Sequence, residues 1–280
     1  MKFGRFTLSL HNFGFFRLDG GSMFGSVPKN LWGKKIPVDD ENCIPLALRS
    51  LLIRTEERTF LVDTGIGDKW NDKQRAIFGI RSTPATELGF DPETVTDIIL
   101  THLHFDHAGG IARWKPGTTE LELTWPGARV HLQEANLANA RAPNVKERAS
   151  YLPENVRPLE QAELNLLPGS AEIEPDLFVH RVDGHTVGQQ IVELRHGNES
   201  ILFLTDLVPT SRHLPVPFHM GYDICASTLL TEKEAILARA ERENAVVIFQ
   251  HDPDLPAARI RRDERGHFTP EILSVPILSS

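Results

Sequence analysis

Short apolar runs that stop at an ionisable side chain recur along the chain. The run 97–101 stops at His102, 177–184 at His185, 201–205 at Asp206 and 245–250 at His251. Runs of this length predict buried strands, and the polar residue at each end stands where a loop begins, the usual mounting point for a site. A fifth pair of runs, 51–53 and 58–62, predicts a hairpin that stops at Asp63. Gly197-Asn198 predicts a tight turn between strands 189–195 and 200–205.

Helical spacing of apolar and small residues predicts helices over 133–142 and 231–244, and a further turn or two over 144–152. Asp91-Pro92 has the form of an N-cap followed by proline at the first helical position. Strands alternating with helices give an α/β chain. Pro-bearing stretches at 153–158, 209–217 and 253–256 read as loops, with no repeat, low-complexity tract or linker dividing the chain. The expectation is a single domain over 1–280.

Composition narrows the function classes. The 280 residues carry 30 Lys+Arg against 38 Asp+Glu, a net charge of −8, without any long basic block. That balance argues against nucleic acid or an anionic membrane surface as partner. No apolar run approaches the roughly 20 residues of a membrane span, and Arg5, His11 and Asn12 interrupt any secretory core, so a cytoplasmic protein is expected. Cys43 and Cys225 show no metal spacing and build no disulfide framework.

The chemistry concentrates in His102-Leu103-His104-Phe105-Asp106-His107, four imidazole or carboxylate donors in six positions. Divalent zinc accepts such ligands, and one loop can face two ions, His102 and His104 on one and Asp106 and His107 on the other. Each half lacks ligands that His185, Asp206 and His251 at strand ends can supply, with Asp206 the candidate bridge. His131, His180, His196, His213, His219 and His267 are read as ordinary histidines.

These motifs, with Gly184-His185-Thr186-x-Gly188 and the earlier Val62-Asp63-Thr64-Gly65, resemble the ordered motif set of the metallo-β-lactamase-fold superfamily across residues 60–251. The resemblance implies a four-layer αβ/βα sandwich, two mixed sheets face to face with helices outside. It assigns His102, His104 and His185 to one metal, Asp106, His107 and His251 to the other, Asp206 to both, and Asp63 to a carboxylate that orients a ligand histidine. Two divalent ions follow, zinc by preference, with manganese, cobalt or iron as alternatives.

Such a pair of ions activates water for hydrolysis, so the nucleophile is read as a hydroxide between them, with Asp106 carrying a proton. The segment 19–32 and the stretches 206–210 and 220–223 resemble the branch of quorum-quenching N-acyl homoserine lactonases and methyl parathion hydrolase. In that branch the segment within 1–45 covers the pocket, which places Met23 and Phe24 near the substrate and implies a homodimer through the N-terminal loop. Some lactonases of this fold carry a tyrosine three residues after the bridging aspartate; here that position is Pro209, and Tyr222 is the replacement candidate.

The leading expectation is an enzyme that opens N-acyl homoserine lactones. A phosphotriesterase or arylesterase on the same site is the alternative, followed by a glyoxalase II-like thioesterase. Outside the hydrolases stand a metal-binding module without turnover and an iron redox scaffold, which would want an attached flavin domain.

Overall fold

The computed structural model describes residues 1–34, 36–84 and 87–273. The chain divides into two compact units, 1–15 and 48–169 in the first and 16–47 and 170–273 in the second; of the three crossings among the described residues, two lie inside the strands Phe6–Asp19 and Cys43–Arg54 and the third in the bend at 168–170. The α/β expectation is met by two mixed sheets with helices.

The first sheet begins with β1 (Lys2–Phe3), β2 (Phe6–Asp19), β3 (Cys43–Arg54), β4 (Thr59–Val62), β5 (Arg81–Ser82) and β6 (Asp97–Ile99). A separate pair, β7 (Ala112–Trp114) and β8 (Leu121–Leu123), follows, and β9 (Arg129–Gln133) and β10 (Glu163–Leu167) complete the first sheet in the order β1-β2-β3-β4-β6-β9-β10, with β5 on β2. Its centre is parallel: β4 pairs β6, β6 pairs β9 and β9 pairs β10 in the same direction. Phe60, Leu61, Val62, Ile98 and Ile99 have no exposed surface, as parallel strands covered on both faces require. The loops that follow β4 and β6 therefore leave from the same end of the sheet, which puts Asp63 beside the His102–His107 loop.

At the opposite end, Asp97 starts β6 and is buried. It accepts from Arg58 Nε (2.9 Å), from Thr96 Oγ1 (2.7 Å) and from His131 Nε2 (2.8 Å). Burial alone would raise its carboxyl pKa; the hydrogen bonds from His131 and Arg58 outweigh that and hold it at about 2.

The second sheet runs in chain order: β11 (Ala171–Glu174), β12 (Leu177–Val182), β13 (Gln189–His196), β14 (Glu199–Phe203), β15 (Val246–Ile248), β16 (Ala257–Arg262) and β17 (Phe268–Ile272). Only β14 and β15 are parallel, because the helix α7 (Ala226–Arg242) lies in the connection between them. The Gly197-Asn198 turn is as expected, with His196 opposite Glu199 and Gly197 at φ 58°. Leu229, Leu237 and Ala240 of α7 pack on Val182, Ile191, Leu202, Val247 and Ile260.

The shorter helices are α1 (Gly20–Phe24), α2 (Lys29–Trp32), α3 (Asp72–Phe78), α4 (Phe105–Ala108), α5 (Glu134–Arg141) and α6 (Pro153–Val156). Four stretches differ from expectation. The stretch 153–158, read as a loop, forms α6 and runs on into a 3₁₀ helix, Arg157–Gln161, because Pro153 and Pro158 stand in first turns where no amide is needed. The stretch 144–152 forms turns rather than helix, because the Asn144 side chain takes the amides of Lys146 and Glu147 and proline stands on either side. The Asp91 cap is made, but it opens one turn of 3₁₀ helix, Pro92–Thr94. Helix α7 starts at Ala226, before the predicted 231.

Candidate metal centre

The loop after β6 is held from below by one carboxylate. Asp63, fully buried at φ 59°, accepts from Thr101 N (2.8 Å), from Thr101 Oγ1 (2.8 Å) and from His107 Nδ1 (2.9 Å). A left-handed backbone is costly for most residues and tolerated by aspartate, so the β4 end turns sharply enough to aim both oxygens at the neighbouring loop. With Nδ1–H given to Asp63, His107 presents the lone pair of Nε2, and Asp106 Oδ2 lies 3.6 Å from it.

His104 caps α4, and its Nδ1 comes within 3.1 Å of His102 Nε2. Two nitrogens about 2.0–2.1 Å from a shared tetrahedral ion would stand about 3.3 Å apart, so the pair is spaced for one ion. The backbone of the loop is fixed by Leu103 N donating to Asn136 Oδ1 (2.9 Å), and Thr64 N donates to the His107 carbonyl (2.8 Å).

In the second unit, Asp206 sits in a single 3₁₀ turn, Thr205–Leu207, just beyond β14, with Thr205 at φ 45°. Gln189, its amide oriented with the oxygen toward the turn, accepts from the amides of Asp206 (3.0 Å) and Leu207 (3.2 Å). The two carboxylate oxygens face different rings: Oδ2 lies 3.1 Å from His185 Nε2 and Oδ1 3.1 Å from His251 Nε2. His251 Nδ1 donates to the Ala47 carbonyl (2.8 Å), and His185 Nδ1 donates to Asp223 (2.8 Å).

Those second bonds orient the rings. A carbonyl only accepts, so His251 Nδ1 is the donor to Ala47 and Nε2 is the atom turned toward Asp206 Oδ1. At His185, burial opposes a positive charge, but Asp206 and Asp223 outweigh it and raise the pKa to about 10.

His102, His104, Asp106 and His107 are gathered in the first unit and His185, Asp206 and His251 in the second, and all seven are buried. Within each unit these residues fit divalent ions in donor type and orientation. All are nitrogen or oxygen donors, the set such ions accept.

The family follows from this geometry and from the pattern match to the metallo-beta-lactamase superfamily over residues 45–251. The chain belongs to that superfamily. It is a metal-dependent hydrolase by family. It is 26% identical over 231 residues to an N-acyl homoserine lactonase of Bacillus cereus, covering 75% of this chain and 83% of the relative. A probable metal-dependent hydrolase from Staphylococcus aureus superposes with a TM-score of 0.87 at 26% identity, covering 98% of this chain and all of that one. AidC, a dizinc quorum-quenching lactonase in complex with the product N-hexanoyl-L-homoserine, shares the fold at TM-score 0.77 and 19% identity, covering 98% and 97%.

The remaining candidates lie in the second unit. Phe24 has no exposed surface and is stacked between Trp32 (centroids 5.1 Å apart) and His213 (4.4 Å), while Met23 is buried and gives its carbonyl to His213 Nε2 (2.8 Å). Burial holds the His213 pKa at about 4, so the ring is neutral. Tyr222 is 37% exposed. Its turn is tied to α1, because Gly221 N donates to the Ser22 carbonyl (2.8 Å).

Sequence reasoning missed Asp223, Asn136 and Glu147. Asp223 stands beside Tyr222 in a stretch already singled out, and its carboxylate would have been found by asking what orients His185. Glu147, buried 3.7 Å from His104 Nε2, comes from a stretch read as helix and gave no signal.

Proposed function

We propose that this protein is a dizinc lactonase that opens N-acyl homoserine lactones, and so a quorum-quenching enzyme. What carries the reading is Asp206, whose two oxygens address His185 and His251 separately, the arrangement a bridging carboxylate needs. The likeness to lactonases along most of the chain supports the substrate class. Two divalent ions, when bound, lower the pKa of water and polarise a carbonyl.

The chain's own residues do the rest. His102, His104 and His185 would hold one ion, Asp106, His107 and His251 the other, and Asp206 would serve both. Asp63 and Asp223 fix the tautomers of His107 and His185 so that Nε2 is the donor. Asp106, beside the ions, takes the proton released on attack and returns it to the departing alkoxide. Tyr222, partly exposed on the turn that Asp223 fixes, donates its phenol proton toward the developing oxyanion. Met23 and Phe24, enclosed as they are, shape the pocket from behind by holding the segment that carries them.

Both cysteines are free thiols, which fits a reducing, cytoplasmic compartment. No helix among the described residues is long and apolar enough to cross a membrane.

Acid release from a panel of N-acyl homoserine lactones by zinc-loaded protein tests the proposal. Turnover that Asp206→Asn abolishes supports it. Zinc-replete protein that leaves every lactone intact but hydrolyses phosphotriesters or aryl esters overturns the substrate assignment.

A further inference from the structure

The buried face of α7 contains a lysine. Leu229, Lys233, Leu237 and Ala240 form one stripe at helical spacing, and Lys233 has no exposed surface. A buried ammonium needs its three donors met. Nζ donates to three carbonyls of one loop: Pro215 (3.1 Å), Val216 (3.4 Å) and Phe218 (2.6 Å).

The match answers a need of the loop. Pro215 and Pro217 have no amide to give; the Pro215 carbonyl also accepts from Phe218 N (2.9 Å), and Lys233 Nζ is the donor that reaches the Val216 and Phe218 carbonyls as well. Beyond Phe218 the chain turns at once into the site. Met220 N donates to Asp223 Oδ2 (2.7 Å), Ile224 N donates to the His185 carbonyl (3.1 Å), and the same turn carries Tyr222.

The turn is thus anchored on its far side by Asp223 against His185, and on its near side by Lys233 alone among the side chains that bond to the 215–218 carbonyls in the described residues. We propose that Lys233 is a positioning residue. Its ammonium gathers the 215–218 carbonyls and so sets where the 219–223 turn delivers Asp223 and Tyr222. This rests on the reading of His185 and Tyr222 as site residues.

The test is Lys233→Met, which keeps length and removes every donor, followed by amide hydrogen exchange on the full chain and by lactone kinetics. The expected result is exchange at least 10-fold faster at Phe218 to Asp223, with β13 and β14 unchanged. Where the parent protein opens lactones, kcat falls at least fivefold while KM stays within about twofold. Lys233→Gln, with two N–H donors, restores part of both effects, and it replaces the methionine variant if that chain fails to fold.

Unchanged exchange over 218–223, or equal acceleration throughout β13 and β14, overturns the proposal; so does local acceleration with unaltered kcat in an active enzyme. Exchange requires no substrate, so a parent protein without lactonase activity would defeat the functional reading and leave this one to stand or fall on exchange.

Discussion

Asp206 shows how much one carboxylate can specify when its neighbours' protons are accounted for. His251 Nδ1 donates to a carbonyl and His185 Nδ1 to Asp223, so both rings turn Nε2 toward the same acid. Asp63 plays the matching part for His107, and losing it frees the ring to choose the wrong tautomer. Asp63→Asn is expected to weaken metal binding about 10- to 100-fold, measured by competition with a chromogenic chelator. Tyr222→Phe is expected to lower kcat for lactone opening about 10- to 100-fold with little change in KM, since the phenol acts on charge that develops only in the transition state. Full kcat in that variant removes Tyr222 from the reaction.

At the level of elements, the strand ends were legible because a buried strand is an apolar run and the residue that breaks it is conspicuous. The runs at 97–101, 177–184, 201–205 and 245–250 became β6, β12, β14 and β15, each within a few residues. The fourteen-residue β2 was not legible: Gly14 and consecutive aromatics break its alternation. Nor was the start of α7, where Ser227 and Thr228 are weak helix formers. Lys233 could have been found, as a cation in the middle of an apolar stripe.

Gly184, noted only as part of a motif, has a packing reason. A Cβ there would lie 2.3 Å from the backbone N and Cα of Leu229, so any side chain pushes α7 away from the residue preceding His185. Gly184→Ala is expected to destabilise by about 1–3 kcal/mol, seen as a lower denaturant midpoint.

The base of the first sheet sets a pH limit. Asp97 has a folded pKa near 2, below its unfolded value of about 3.9, so its contribution is complete above that value and is lost as pH falls from about 4 toward 2. The loss is about 2 kcal/mol, and in Asp97→Asn the acid limb of a stability–pH profile should flatten by that amount.

For the molecule as a whole, family and hydrolase class were legible in the order of a handful of histidines and aspartates, because metal ligands must be particular residue types at particular places. Orientation was not, because Asp223 and Glu147, the partners of His185 and His104, come from turns whose conformation no periodicity records. Since the ligands cluster only in the folded chain, bound metal stabilises by mass action, and chelation should lower the melting temperature by several degrees.

The most direct test of the central claim is a titration of zinc into chelator-stripped protein while the opening of N-hexanoyl homoserine lactone is followed. Activity should rise to a plateau at two equivalents per chain. A plateau at one equivalent, or no lactone opening at any zinc level, would contradict a bridged pair of ions acting on a lactone.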